Sequence, residues 1–362
     1  MREKTKLCRA GGMLAAMLLA GVLPAAAQYG QSGRDTLVVT STNDATANHV
    51  VVFKLNTAGT PSLAMEAMLP TGGEGGAGGN AGAVQFSGNL GAVANYASNT
   101  VTQLTRSGDS IWVSGTIKLD PGCTNPVSVA IAGNDLYVAG ANCAEGHTWP
   151  SGNPDGPAVS LPHGDTSAGQ IAVGQTWAAV TLKSGSVVQL PLTPGGDLTG
   201  SSTVKTLSTA TFGTGNTPLG AAFWGDILGF NPAHSPDSFA IMDRKGDISA
   251  VPGPTPAFPS NAPCWLAKGA DNIWYSGNSP GEAISIFFSD GQGGVFYKNV
   301  GLGGVATDIT VSPDGKWLAV IYTASGNGYV AVFSIDAYGD LTPVATSIPF
   351  TGVTFNGVAF SQ

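Results

Sequence analysis

Charge is scarce in this sequence, and arginine in particular. Charged residues make up 10% of the 362 residues, and only five arginines occur. A substrate with a phosphate group would therefore lack an evident arginine clamp. Acidic residues outnumber basic ones by 23 to 15, and a negatively charged surface repels phosphate backbones. We expect no nucleic-acid partner.

One catalytic motif is missing and another occurs outside its usual setting. The pattern G-x-S-x-G occurs at Gly277–Gly281, between two predicted strands, whereas a nucleophile elbow joins a strand to a helix; we therefore expect no such elbow, although a Ser–His–Asp triad stays open. The run TGGEGGAGGNAGA from Thr71 resembles a phosphate-binding loop in composition only. It lacks the Lys-Ser/Thr pair that a P-loop requires, so we expect a flexible connection between two strands.

After residue 27, no apolar run is long enough to span a bilayer. The first 27 residues contain a basic stretch between Arg2 and Arg9, the apolar run MLAAMLLAGVLP and the small residues Ala25–Ala27. This order predicts a secretory signal peptide, with a retained membrane anchor as the alternative. Its removal leaves 11 basic and 22 acidic residues in one domain, residues 28–362. We expect an exported protein, periplasmic or secreted.

A hairpin unit recurs along the chain. Its clearest copies begin at Ala83, Val127, Cys264 and Asp308, and each joins a strand of small residues to a second apolar strand. An alternating strand, a glycine turn and a further strand follow each hairpin, with a usual spacing of about 45 residues between units. Four short strands repeated at this period are typical of β-propeller blades.

The two ends of the chain supply one further blade. Six hairpins can be counted, and a single unpaired strand remains at each terminus: TLVVTSTN from Thr36 and the C-terminal GVAFSQ. We expect Val358–Ser361 to pair with Leu37–Ser41, because ring closure removes exposed sheet edges. The predicted fold is an all-β, seven-bladed β-propeller closed by its C-terminal strand.

The repeats resemble those of a known family. The segments NHVVVFKLNTAGTPSL, NYASNTVTQLTRSGDSI and VSPDGKWLAVIYTASGNGYVAVFSIDAYGDLTPV look like repeats of the lactonase-like propellers. That family includes the propeller-type 6-phosphogluconolactonase and carboxymuconate cyclase. The resemblance covers nearly the whole chain after residue 27, and it implies the fold and, as one candidate activity, lactone hydrolysis.

The resemblance also implies an Arg-His pair at the start of an innermost strand. The matching positions are Thr307–Asp308, Val127–Ser128 and Asn356–Gly357, and they contain neither arginine nor histidine. This favours a propeller that binds a small ligand or a protein partner at the channel mouth. A hydrolase of a lactone or related ester is the alternative, with histidines and carboxylates of the mouth face as its working groups.

Blade three departs from the repeat. The outer two strands should lie between Cys143 and His163, but this segment is rich in proline and glycine and does not alternate. Such departures are candidate functional sites, because function can displace packing. The alternative is that the blade has lost its outer strands and polar residues cover the exposed edge.

Candidate site residues follow from the expected position of each loop around the channel mouth. We expect no required cofactor, but a divalent metal is an option for the cluster of histidines and carboxylates in blade three. The candidate catalytic residues are His163, Asp165 and Asp308. The candidate ligand-binding residues are Glu145, His147, Trp149, His234 and Glu282.

Three cysteines remain once Cys8 leaves with the signal peptide. Cys123 and Cys143 flank a hairpin that turns almost midway between them, so antiparallel pairing brings them together. We expect them to form a disulfide in an oxidising compartment, with three free thiols as the alternative. Cys264 should be a buried thiol inside a first strand. We expect the protein to be a monomer.

Overall fold

Seven antiparallel sheets, six with four strands and one with five, form a closed ring in the computed structural model. The structure describes residues 35–233, 239–251 and 262–362. The innermost strand of each blade contacts that of the next blade all the way round, including the last with the first. The predicted seven-bladed propeller is therefore confirmed.

The strands of the first four blades run from the channel to the rim. Blade one comprises Asn356–Ser361, Thr36–Ser41, His49–Asn56 and Ser62–Pro70. Blade two comprises Val84–Ser87, Leu90–Asn95, Thr100–Ser107 and Ser110–Lys118. Blade three comprises Pro126–Ala132, Asp135–Gly140, Cys143–Thr148 and Val159–Ser160. Blade four comprises Ala168–Val173, Trp177–Leu182, Ser186–Pro191 and Thr203–Thr206.

The other three blades follow the same order. Blade five comprises Thr217–Trp224, Ile227–Ala233, Phe239–Met242 and Ile248–Val251. Blade six comprises Pro263–Lys268, Ile273–Asn278, Ala283–Ser289 and Gly294–Gly301. Blade seven comprises Val305–Val311, Trp317–Ala324, Asn327–Ile335 and Leu341–Thr346, with Phe350–Thr351 added beside its third strand. Within residues 35–233, 239–251 and 262–362, the helices are the 3₁₀ turn Pro162–Gly164 and the short α-helix Thr209–Phe212.

The second strand of each blade is largely a continuous run of apolar or small residues, and its burial explains why. Leu37, Val38 and Val39 are consecutive, and all three side chains are fully buried. A second strand is covered on both faces by the neighbouring blades, so it needs apolar residues on both faces. The fourth strands lie at the rim and alternate instead, as in blade one, where Leu63 is buried and Glu66 is exposed.

Blade one is joined from both ends of the chain, as predicted. Leu37 pairs with Ser361, and Thr40 pairs with Val358, in antiparallel register. The predicted signal peptide lies outside the described residues. Among the residues that the model describes, no helix is long and apolar enough to cross a membrane.

Blade three is more regular than the sequence indicated. Cys143–Thr148 is a buried third strand that pairs with Asp135–Gly140, so the loss of both outer strands is a wrong expectation. The fourth strand is shortened to Val159–Ser160, and this is the irregular feature of the blade. Five of the six residues of Cys143–Thr148 are buried, so the strand shows no polar–apolar alternation in its sequence.

The predicted disulfide joins Cys123 to Cys143, with a Cα–Cα distance of 5.3 Å. Gly140 lies against it, and a Cβ there would be 2.4 Å from the sulfur of Cys143. The bond therefore requires glycine at this position. Cys264 is a buried free thiol on the first strand of blade six, as expected, and burial raises its pKa.

Candidate functional site

A backbone irregularity recurs where the first strands begin. In blade one and in blades three to seven, the pairing of the first and second strands slips near this point. Such bulges re-aim the next side chain. They also bring neighbouring strands close together, because a Cβ on Gly220 would be 2.3 Å from the nitrogen of Leu266. The residues that follow the slip are Ser128, Gln170, Ala221, Trp265, Asp308 and Val358.

Residues 71–83, here called the glycine loop, reach across the channel at this end. The N–H of Ala81 donates to the carbonyl of Gly169 in blade four at 3.2 Å. The N–H of Gly82 donates to Oδ2 of Asp308 in blade seven at 2.9 Å. The carbonyl of Gly82 accepts the N–H of Val129 in blade three at 2.9 Å. The loop is thus bonded to blades on different sides of the channel.

Packing completes the closure of this end. Ala81 is 1% exposed and belongs to one apolar cluster with Leu219 of blade five, Trp265 of blade six and Ala306 of blade seven. Together with the hydrogen bonds, this contact makes the glycine loop a plug over the predicted channel mouth.

Steric demand explains the glycine content of the loop. A Cβ on Gly75 would be 2.5 Å from the backbone carbonyl carbon of Asn43, and a Cβ on Gly73 would be 2.6 Å from the side chain of Asn95. Real Cβ atoms do not approach other atoms so closely. The expectation of a flexible connection is therefore wrong, because these glycines let the backbone pack against blades one and two.

A cavity of about 150 Å³ lies in the channel below the plug. The first strands of blades three, four and six are buried where they begin and half-exposed at their last residue, and Thr310 and Val311 at the end of the first strand of blade seven are half-exposed as well. The cavity is therefore blind at the plug and accessible from the opposite end. Its polar lining residues are Gln85, Gln170, Lys268, Asp308 and Thr310.

Asp308 lies at the blind end and is 4% exposed. Besides the bond from Gly82, its Oδ1 accepts the N–H of Ile309 at 2.9 Å, and the N–H of Val358 is a third donor. Burial raises the pKa of Asp308 to about 7, and these three bonds act in the opposite direction. A carboxylate has about four lone-pair sites, so one remains for a ligand.

Lys268 ends the first strand of blade six and lines the same cavity. Its ammonium donates to the carbonyl of Gly269 at 2.9 Å and to the carbonyl of Asp271. The centres of the Trp224 and Trp274 rings are 5.3 and 5.2 Å away. Desolvation lowers the pKa of Lys268 to about 8.

Other predicted site residues lie on loops at the plugged end. His163 is exposed in the 3₁₀ turn, and Glu282 is exposed in the middle loop of blade six. Asp165 accepts hydrogen bonds from Ser167 N–H at 2.7 Å and Ser184 Oγ at 2.5 Å. Desolvation acts to raise the pKa of Asp165, but these bonds outweigh it and the pKa is lowered. His234 lies outside the described residues.

Glu145 and His147 lie on the flank of blade three instead of the expected mouth face, because Cys143–Thr148 forms a strand. The two residues are 3% and 1% exposed, and their side chains meet at 2.8 Å. Nδ1 of His147 donates to the carbonyl of Gly152 at 3.2 Å, and Oε2 of Glu145 accepts the N–H of Asp120 at 3.0 Å. Through these bonds the pair holds residues 149–158, which replace most of the fourth strand, against the blade. Both residues also line a cavity of about 200 Å³.

Trp149 packs inside the protein and is 6% exposed. It belongs to the apolar cluster that contains both disulfide cysteines, so Trp149 is part of the hydrophobic core.

A cluster of three carboxylates was missed by the sequence analysis. One oxygen from each of Asp135, Asp155 and Asp197 lies within 4.8 Å of the others, and it is the one such set within the described ranges. Desolvation and the charge of Asp197 raise the pKa of Asp135, and a hydrogen bond to Asp197 raises that of Asp155. The set can share protons or hold a hard divalent cation. Two of its members are turn residues of adjacent blades, but nothing in the sequence placed Asp155 beside them.

Comparisons with known proteins identify the fold. No family model matches the chain, and no curated protein matches it. A protein of Lactobacillus plantarum is similar in structure, with a TM-score of 0.66, 15% identity and coverage of 91% of this chain and 100% of the other. A putative 6-phosphogluconolactonase of Bacteroides fragilis has a TM-score of 0.63, 12% identity and coverage of 92% and 99%.

A periplasmic gluconolactonase of Pseudomonas aeruginosa is also similar, with a TM-score of 0.65, 13% identity and coverage of 91% of this chain and 99% of the other. At these identities the likeness concerns the fold. The chain is therefore a seven-bladed β-propeller of the architecture found in gluconolactonase-type propellers.

Proposed function

We propose that this protein binds one small polar molecule in the blind channel. The observation that carries the proposal is the buried Asp308 carboxyl at the closed end of a cavity that is accessible from the other end. A closed end turns a channel into a pocket, and a few polar groups in a concave site are typical of small-molecule recognition.

Cavity size favours a small molecule over a protein partner. A cavity of about 150 Å³ in another protein holds one benzene ring, so this channel of about 150 Å³ suits a single six-membered ring or a chain of similar volume. Oε1 of Gln170 accepts the N–H of Ala221 at 2.6 Å, which leaves its Nε2 to donate to a ligand. Asp308 would accept a ligand hydroxyl through its remaining lone pair.

Lactone hydrolysis is the second candidate, favoured by the pKa of Asp308 at about 7 and by the fold of the gluconolactonases. The Asp308 carboxylate would take a proton from water as that water attacks the lactone carbonyl. The ring C–O bond would then break, and the leaving oxygen would take the proton back from Asp308. Water and lactone would give one hydroxy acid.

Calorimetric titration with five- and six-membered hydroxylated lactones tests binding, and acid release at constant pH tests hydrolysis. We expect Asp308→Asn to weaken binding at least tenfold and to abolish any hydrolysis above the buffer rate. Asp165→Asn is the matched control, because its carboxylate lies on a surface loop, and it should change neither. Absence of binding by the wild-type protein, or equal affinity in Asp308→Asn, would overturn the channel site.

A further inference from the structure

The side chain of Asp308 is on the channel face of its strand. Asp308 and Thr310 are two residues apart on the first strand of blade seven, after the slip in the pairing, so their side chains are on the same face of that strand. Both residues line the channel cavity. The carboxyl group at the blind end is therefore in position to contact a molecule in the channel.

No cation of the protein neutralises this carboxyl group. Its hydrogen-bond donors are the backbone N–H groups of Gly82, Ile309 and Val358, which carry no charge. Within the described parts of the chain, no lysine, arginine or histidine nitrogen lies within 4.0 Å of Asp308. A buried carboxylate without a counterion is costly, and a cationic ligand would offset that cost.

Lys268 is the one cationic residue of the cavity lining, and its ammonium is held elsewhere. The ammonium donates to the carbonyl oxygens of Gly269 and Asp271, beyond the end of the strand. It also lies 5.3 and 5.2 Å from the ring centres of Trp224 in blade five and Trp274 in blade six. These contacts place the charge between two blades, so Asp308 keeps no counterion inside the channel.

Carboxylates lie around the open end of the channel. Asp135, Asp226, Asp271 and Asp314 lie in or beside the turns that join the first strand to the second in blades three, five, six and seven. These four turns contain one lysine, Lys316, which pairs with Asp314 at 3.3 Å. Carboxylates at the entrance of a cleft attract cations and repel anions, so the open end favours entry of a cation.

The lining favours an amine over a metal ion. Divalent metal ions take six or more oxygen ligands, and Asp308 is the one carboxylate among the lining residues. An ammonium needs at most three acceptors. Gln85, Gln170 and Thr310 are neutral and can form hydrogen bonds with hydroxyl groups of the same ligand.

We propose that the channel ligand is a small hydroxylated amine whose ammonium group pairs with Asp308. This inference rests on the proposed channel site and names its ligand class. The ammonium would donate to the carboxylate at the blind end, and the hydroxyl groups would contact Gln170 and Thr310.

Calorimetry with aminocyclohexanols, and with the cyclohexanediols that carry a hydroxyl in place of the amine, tests this ligand class. The two probes have the same ring, but only the amine is charged at pH 7, because the pKa of an alkyl ammonium is about 10. At pH 7 we expect the amines to bind at least tenfold more tightly than the diols. Asp308→Asn should abolish this preference. Asp290→Asn is the control, because it removes an exposed carboxylate between the third and fourth strands of blade six, and it should leave the preference intact.

The wild-type protein provides a second measurement, which decides the question if Asp308→Asn unfolds. Burial raises the pKa of Asp308 to about 7, so the affinity for the amine should rise at least tenfold from pH 5 to pH 7 as this carboxyl group ionises. The other titratable side chains on the first strands are Cys264 and Lys268, and both hold their protons over this range. The affinity for the diol should change much less.

Equal affinity for amine and diol, a preference that survives in Asp308→Asn, or an affinity for the amine that does not rise with pH would overturn the inference. If diols or lactones still bind through Asp308, the channel site stands without this ligand class. If amines, diols and lactones all fail to bind, both proposals fail.

Discussion

The guanidinium of Arg106 in blade two donates to the backbone carbonyl of Ser361, one residue from the C-terminus. The same side chain donates to the carbonyl of Asp35, at the start of the first described strand, at 2.6 Å. Arg106 is 2% exposed, so this buried side chain, here called the clasp, joins the two strands of blade one that come from opposite ends of the chain.

Replacement of this clasp should destabilise the closed ring. Arg106→Met leaves the carbonyls of Ser361 and Asp35 without their donor, and buried unsatisfied groups cost about 1–3 kcal/mol each. We expect a loss of about 2–5 kcal/mol in the free energy of unfolding, measured in urea. Arg244→Met, at an exposed turn residue, should be neutral. A melting curve unchanged by Arg106→Met would contradict the clasp.

The disulfide should be the bond that links Cys123 to Cys143 in the purified protein. Its sequence separation is 20 residues, and removing such a bond costs about 3 kcal/mol in the usual entropic model. Mass spectrometry of the non-reduced protein should find this link, and Cys264 should be alkylated only after unfolding. A bond that includes Cys264 would contradict the blade alignment.

Glycines of the plug offer a matched pair of variants. Gly75→Ala places a methyl group against the backbone of Asn43, whereas a Cβ on Gly78 meets nothing within 4 Å. Overpacking costs about 1–3 kcal/mol, so we expect Gly75→Ala to lower stability and Gly78→Ala to leave it nearly unchanged. Two neutral substitutions would mean that residues 71–83 do not pack against the loop of blade one that contains Asn43.

Asp308 should make the protein less stable as the pH rises. Its carboxyl ionises near pH 3.8 in the unfolded chain, and burial raises the pKa to about 7 in the fold. Between these values the folded state holds a proton that the unfolded state has released, so stability falls toward pH 7 by an amount on the order of 4 kcal/mol. Urea unfolding from pH 4 to 8 should show this slope, and Asp308→Asn should flatten it. In Asp308→Asn a smaller decrease of stability with pH should remain, because the pKa values of Asp135 and Asp155 are also raised. If the free energy of unfolding of Asp308→Asn falls with pH as steeply as that of the wild-type protein, a group other than Asp308 causes the pH dependence.

Repeats and hairpin register were sufficient to predict the ring, its closure and the disulfide. The pairing of Val358 with Thr40 follows from one strand missing at each end, and Cys123 meets Cys143 because their hairpin turns midway. These features depend on local periodicity, which a sequence displays directly.

The site depends on contacts between segments that are distant in the sequence, and the sequence pattern does not reveal such contacts. Composition alone gave no sign that residues 71–83 pack against Asn43 and reach Asp308. Glu145 and His147 were assigned to a loop because the buried strand Cys143–Thr148 does not alternate. Asp308 lines the channel cavity, and its role as a catalytic residue stays a prediction; the open end of that channel is opposite to the expected mouth.

A crystal structure of the protein soaked with its tightest-binding hydroxylated lactone tests the central claim most directly. We expect one molecule in the channel below residues 71–83, with a hydroxyl within hydrogen-bond distance of Asp308. Density for the molecule at another place, such as the flank cavity of blade three or the carboxylate cluster at Asp135, with an empty channel, would contradict it.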